Sequence, residues 1–444
     1  MTEMKARQER LEQLVDDLLV EARRQGASAA EAGVSSDAGL SLTVRMGTPE
    51  TIEHTRGNGL GVTVYFDHRK GSASTSDLSS QAVKETVAAA CNFAKYTSED
   101  PCAGLADAGL MARELPDLDL YHPWELAVDD AIELATRCEA AAQEEDGRIV
   151  NSEGATLNSH SGLHVYGNSH GFMGGYPASR HSLSCAVVGR QDDSMQRDYW
   201  YTLSRLSGAL ESPESVGRTA ARRTLARLGA RRIATRQAPV LFQADVAVGL
   251  LRSFISAIRG SALYRKASFL LDHLGKPVFP DYVQVYEQPR LPRGLGSSAY
   301  DNEGVATADR TFVEGGILQS YVLDSYAARK LGMQTTGNAG GVRNLRISNG
   351  NLDRQGLLKK MERGLLVTEL MGHGVNMVTG DYSRGASGFW VEHGEIQFPV
   401  EEVTIAGNLK EMLLGLLEVG TDLETRTSVQ TGSWLVERMT IAGD

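Results

Sequence analysis

The stretch Leu365–Ile396, LLVTELMGHGVNMVTGDYSRGASGFWVEHGEI, decides how this chain is read. Its apolar residues alternate or cluster as strand formers do, and Gly372, Gly374, Gly380, Gly385, Gly388 and Gly394 punctuate them. Between the glycines sit Glu369, His373, Asn376, Asp381, Tyr382, Ser383 and Arg384, a concentration of polar side chains found nowhere else in the chain. Strands joined by glycine turns bring backbone amides and polar tips close to a ligand, because glycine permits tight turns and close approach. The stretch therefore reads either as the functional end of a β domain or as a buried hairpin pair with solvated turns.

The pattern around it is the same. Residues 262–350 are strand-like and rich in turns, among them Tyr300-Asp-Asn-Glu-Gly304, and a short helix at Ser325–Leu331 interrupts them. A strand at Val403–Ile405, a helix at Leu409–Leu417 and a terminal strand ending at Ile441 follow the opening stretch. A helix over 245–260, apolar at Val246, Leu250, Leu251, Phe254, Ile255 and Ile258, is apolar on more than one face and is expected to be central. The second half reads as an antiparallel β domain, 236–444, around one buried helix.

The first half differs. Leu11, Leu14, Val15, Leu18, Leu19 and Ala22 define an amphipathic helix over 5–26, followed by alternating strands near Leu40–Val44 and Gly61–Phe66. A second helix is expected from a cap at Ser76 or Asp77 to Tyr96, and a third from Pro123 to Glu144. A connector crosses the surface between them, from Ser98 to Pro123. Short strands fill 148–205, and Ser212-Pro213 opens another helix. This is an N-terminal α+β domain, 1–235, with two subregions at 1–100 and 122–235. The fold class expected for the whole chain is α+β.

Composition narrows the function. The 444 residues carry a net charge of −11, against nucleic acid as a general partner, whose affinity depends on Lys and Arg neutralising phosphates. The exception is a strip of Arg218, Arg222, Arg223, Arg227, Arg231, Arg232 and Arg236, read as a solvated helix face in preference to a polyanion site. The N-terminus lacks an apolar leader and no run of 18 apolar residues occurs, so a cytoplasmic protein without a membrane partner is expected. Cys91, Cys102, Cys138 and Cys185 show no CxxC spacing and are expected to be reduced and packed. His160 and His164 are four apart, a ligand spacing on a helix, but Gly162 and strand-like neighbours favour ordinary strand residues. P-loop, dinucleotide, HExxH and GxSxG motifs are absent, and Ser387 lies in a segment lacking the second glycine of a nucleophile elbow.

VTELMGHGVNMVTGDYSRGASGFWVEHGEI, with TIAGNLKEM, the closing MTIAG and SALYRKASFLLDHLGK at Ser261–Lys276, resembles the TldD/PmbA family, in particular its PmbA (TldE) branch. The resemblance spans essentially the whole chain. It implies a cytoplasmic peptidase complex in which a TldD-type subunit and a TldE-type subunit pair around a chamber for unfolded peptide. Members are often called modulators of DNA gyrase. In the TldD branch the buried helix carries HExxxH, and a Cys near the C-terminus completes a zinc site. Aligned on Leu250-Leu251, those positions correspond here to Arg252, Ser253 and Ala257, with Thr431 nearest the Cys. Arg and Ala offer zinc no lone pair. The resemblance thus implies a non-catalytic subunit with no cofactor of its own, zinc being held by the partner.

Asp381, Ser383 and Arg384, then Glu369, His373 and Asn376, are the candidate substrate-binding residues, and a peptide is expected to add to a strand edge there. Two rival readings stand beside this one. The first is an independent hydrolase using Glu369, His373 and Asp381; the second is a stand-alone peptide-binding or chaperone-like homodimer.

Overall fold

The computed structural model describes residues 2–443. In the first half, α1 (Thr2–Arg24), β1 (Ala29–Arg45), β2 (Thr48–Phe66), β3 (Arg69–Thr75) and α2 (Ser80–Tyr96) are followed by α3 (Val128–Gln143), β4 (Ile149–Asn168), β5 (Met173–Gln191), β6 (Ser194–Ser204) and α4 (Pro213–Ala226). The strands form one antiparallel sheet, ordered β3-β2-β1-β4-β5-β6, so the β1–β4 pairing fuses both subregions into a single layer. Strands of 17 to 20 residues replace the short ones the sequence suggested. All four helices cover one face of this sheet. Leu11, Val15, Leu18 and Ala22 of α1 and Val83, Val87, Ala90 and Ala94 of α2 pack on Ala32, Val34, Val62 and Val64. Ala131, Ala135 and Cys138 of α3 and Val216 and Ala220 of α4 pack on Leu42, Leu157, Leu183 and Cys185. The opposite face carries the odd positions of β1, Glu31, Gly33, Ser35, Asp37 and Gly39, which are small or polar and support no second layer.

Two helix starts and one connecting segment correct the sequence reading. Ser79, whose hydroxyl accepts from the Ala82 amide, caps α2, because Asp77 is committed to a turn in which it accepts from the Ser79 amide. The third helix starts at Val128 instead of Pro123, since the residues before it run extended along β5, with the Ser179 amide donating to Leu120 and the His122 amide donating to the Ser179 hydroxyl. The segment from 98 to 123 is not a surface connector. Leu105, Ala106, Ala112, Leu118 and Leu120 are buried at the seam between the two halves.

In the second half, β7 (Arg236–Phe242), α5 (Ala244–Ala257), α6 (Gly260–Tyr264), β8 (Val285–Glu287), β9 (Arg310–Glu314), β10 (Ile317–Leu318), α7 (Ser325–Lys330) and β11 (Leu345–Ile347) precede α8 (Arg354–Met361), β12 (Gly364–Met371), β13 (Asp381–Glu392), β14 (Glu395–Asn408), α9 (Leu409–Leu414), β15 (Leu416–Val419), β16 (Val429–Gln430) and β17 (Trp434–Ala442). One sheet runs β14-β13-β12-β7-β17-β15, and an additional β14–β17 pairing closes it into a barrel. The other is ordered β10-β9-β8-β11-β16. Pairing is antiparallel as expected, apart from β7–β12 and β11–β16, which are parallel. A single core joins α5 (Leu250, Leu251, Phe254) to the barrel (Phe242, Leu365, Val367, Trp390, Trp434) and the second sheet (Val285, Phe312, Leu345). The central helix is therefore buried as its sequence demanded, although it ends at Ala257 and the chain turns at Arg259 into α6. The sequence reading overlooked α8, whose Leu357, Leu358 and Met361 cover the outside of the barrel under an Asp353 cap.

Candidate functional site

The opening stretch forms the barrel strands β12 and β13, the loop at 372–380 that joins them at the rim, and the start of β14. Alternation along β13 separates the candidate residues. Tyr382 and Ala386 point into the core, and Arg384 lies on their side, while Asp381 and Ser383 face out and are exposed. Asp381 accepts from the Thr379 hydroxyl at 2.6 Å and from Asn408 Nδ2 at 3.3 Å, and Asn376 accepts from the amides of Val378 and Thr379. These three loop residues therefore satisfy one another. His373 is exposed at the loop tip. The Ser383 amide donates to Gly374 at 2.7 Å, and a Cβ on Gly374 would fall 1.5 Å from the Ser383 carbonyl oxygen, so only glycine allows this approach. The Tyr382 hydroxyl and Arg384 Nε are buried without a hydrogen-bond partner, and burial pushes the phenol up to about 12.

The closed barrel leaves little of this stretch free for strand addition, only residues 368–371 of β12 extending past the pairing with β7. β12 is paired to β7 and β13, β13 to β12 and β14, and the loop continues the pairing through Val375 and Tyr382. A long free edge lies on the first half of β2. Residues 48–58 are exposed on both faces, and β3 begins to pair only at Leu60.

Glu369 is drawn away from the others. A bulge between Val367 and Glu369 sends its carboxylate outward to Arg227 Nη2 at 2.5 Å. Arg227 also reaches Asp198 at 3.6 Å, and Arg223 bridges Asp198 and Asp245 at 3.3 and 3.7 Å. Burial pushes the Asp245 carboxyl up, and Arg223 opposes that rise. The expected solvated arginine face is thus corrected in part: acids from β6, α5 and β12 claim Arg223 and Arg227, whereas Arg218 and Arg222 near Glu145, Arg231 at 3.6 Å over the Phe398 ring, and Arg232 beside Glu402 stay exposed. The sequence could not show this, because the partners are distant along the chain.

His160 and His164 sit on one face of β4 with Gly162 between them, too far apart for a shared ligand. His160 lies 3.4 Å from Asp37 on β1, an acid that only the strand register reveals, and desolvation by surrounding protein atoms holds the solvent-exposed His164 below its ordinary value, against an opposing pull from Asp37. Among the described residues, no three His, Cys, Asp or Glu side chains are grouped to hold a metal. All four cysteines are free thiols, three of them buried.

Three family models match the sequence: PmbA/TldA metallopeptidase domain 1 at residues 30–94, the central domain at 121–228 and the C-terminal domain at 235–443. Metalloprotease PmbA of Escherichia coli O157:H7 is 50% identical over 443 residues, covering 100% of this chain and 98% of that protein. The chain belongs to the PmbA/TldD family, on its PmbA branch. A PmbA homologue of Haemophilus influenzae is 51% identical over 444 residues, with 99% and 98% of the two chains covered. Among solved structures, a protein of Bacteroides thetaiotaomicron described under the name modulator of DNA gyrase superposes with a TM-score of 0.92 at 29% identity, covering 97% of this chain and 98% of its own. TldE of Thermococcus kodakarensis shares the fold, with a TM-score of 0.84 at 22% identity over 97% of this chain and all of that one.

The relatives are named metalloproteases, and the four positions that correspond to zinc ligands and their acid lie on α5 and at Thr431. Arg252 is exposed and donates to the Thr427 hydroxyl at 3.0 Å. Ser253 donates to its own helix at Gly249, and Ala257 is fully buried. The Thr431 hydroxyl accepts from Trp434 Nε1 at 2.6 Å and donates to the Gly432 carbonyl. No imidazole, thiolate or carboxylate stands at any of the four positions. This donor set does not fit zinc.

Proposed function

We propose that this chain is the non-catalytic subunit of a TldD/TldE-type metallopeptidase complex. It forms part of a chamber wall and holds unfolded peptide, while a TldD-type partner supplies zinc and hydrolysis. The observation that carries this reading is the donor chemistry of α5 and Thr431, in a family whose members are named metalloproteases. The free edge of β2 at residues 48–58 suits main-chain pairing with an extended peptide, a mode that gives affinity with little sequence preference. His373, Asp381 and Ser383, exposed at the barrel rim, and Arg384 beside them remain the candidates for side-chain contacts; Glu369 and Asn376 are held by neighbours.

The test is reconstitution with a TldD-type subunit and an unfolded peptide. The purified chain alone should cleave nothing, and the stoichiometric pair should cleave, with zinc present only in the pair. Cleavage by the chain alone, abolished by His373→Ala, would establish the independent hydrolase instead. Failure to form the pair while the chain still binds peptide as a homodimer would favour the stand-alone binding protein.

A further inference from the structure

A cavity of about 720 Å³ opens at the seam between the halves, lined by Glu31, Tyr65 and Lys70 from the N-terminal sheet region and by Glu303, Tyr326 and Lys330 from the C-terminal half. It lies at the uncovered face of the sheet, and its size is typical of a small-molecule site. Three carboxylates line it without a cationic partner among the described residues: Glu99, which is exposed, and Glu31 and Glu303, which are half-buried. Glu31 interrupts a run of Ala and Gly on β1, and its carboxylate is gripped from both sides: Tyr65 Oη donates to one oxygen at 2.9 Å and Tyr166 Oη to the other at 2.8 Å. Burial raises both phenols far above their ordinary range, so they remain donors. An ionised carboxylate has about four acceptor sites, and the tyrosines occupy two of them. Glu303 enters from the turn Tyr300–Gly304, which is pinned by Asp301 accepting from the Glu303, Val305 and Ala339 amides. One Glu303 oxygen accepts from the Ser325 amide at 3.0 Å, leaving the other uncommitted.

The cations of the cavity lie away from these acids. Lys330 is bound to Asp100 at 2.9 Å, but Lys70 makes no ion pair among the described residues and sits 5.9 Å from the Tyr65 ring. Register places Lys70 beside Tyr65 and Glu31 beside Thr63, on one face, two strands apart. Strand spacing and rise then separate the Glu31 and Lys70 Cα atoms by about 12 Å. Long side chains shorten that gap to the span of a ligand of two or three residues at ~3.5 Å each.

We propose that this seam cavity binds a short peptide with free termini, its ammonium held by Glu31 and Glu303 and its carboxylate by Lys70. Such a ligand touches both halves of the chain and ties them together. The geometry is independent of α5, so binding stands or falls separately from the non-catalytic reading.

Calorimetry on the full chain at about pH 8, where Glu303 is ionised, tests this with Ala-Ala, N-acetyl-Ala-Ala, Ala-Ala amide and spermidine. Saturable Ala-Ala binding is expected, weakened more than about tenfold by N-acetylation, by Glu31→Gln and by Glu303→Gln. Lys70→Met should weaken Ala-Ala and leave the amide unchanged, a difference that misfolding cannot mimic. Absent Ala-Ala binding, undiminished binding of the acetylated peptide, or spermidine binding as tight as Ala-Ala would overturn the proposal.

Discussion

At the scale of single residues, the charges that matter most are those that leave water in the folded chain. Arg227, 12% exposed, serves both Glu369 and Asp198, whose side chains are 40% and 6% exposed. Removing the cation leaves buried Asp198 with Arg223 alone and Glu369 without a partner, whereas neutralising the outer acid leaves both Asp198 pairs in place. Arg227→Met is therefore expected to cost about 1–2 kcal/mol and Glu369→Gln less than about 1 kcal/mol, measured by urea unfolding. Glu303 gives a pH signature. Desolvation raises its carboxyl to about 7, against small opposing hydrogen bonds from Ser325 and a further rise from Asp301 and Asp324. Because the folded value exceeds the unfolded one, the contribution is fully present at low pH and is lost as pH rises through about 7, by up to ~3 kcal/mol. Glu303→Gln should flatten that loss between about pH 5 and about pH 8; a variant whose stability falls with pH as steeply as the parent would refute the assignment.

At the scale of elements, the loop after β15 shows how a segment without regular structure is fixed. Arg426 forms a two-pronged pair with Glu424, donates to the Tyr201 carbonyl and lies 3.8 Å over Trp200 and 4.3 Å over Tyr201. Arg426→Ala leaves Glu424, 5% exposed, without its cation, and about 3 kcal/mol of destabilisation is expected in thermal unfolding. Arg426→Lys keeps the charge but loses the planar stacking, so its melting temperature should fall between those of the parent and the alanine variant. The helices were legible because their apolar spacing is local: the faces of α1 and α2 are those their sequences define, and Ser212 caps α4 as read. The starts of α2 and α3 were not, because a polar residue near a helix start can equally close a turn, and proline can continue an extended segment.

At the scale of the whole molecule, the segment between α2 and α3 ties the halves together. Arg329 donates to the carbonyls of Cys102, Gly104 and Leu105, Tyr326 donates to Asp100 at 2.7 Å, and the Ala112 amide donates to Gly304. Arg329→Ala should accelerate amide hydrogen exchange across residues 100–106 and leave α1 unchanged; equal acceleration in both would mean a global loss of stability instead.

The sequence by itself determined the periodic elements, the burial of the helix at 245–260, the α+β class and the family, and it already named residues at Arg252, Ser253, Ala257 and Thr431 that offer zinc too few donors. These properties depend on spacing and residue chemistry, which are local. The tertiary structure decided that β12 and β13 are paired on both sides over most of their length, that Glu369 turns outward to Arg227, that Asp37 meets His160, and that Glu31 and Glu303 share a cavity. Each of those depends on strand register or barrel closure, which bring together residues tens to hundreds of positions apart, and no local pattern in the chain encodes which of them will meet.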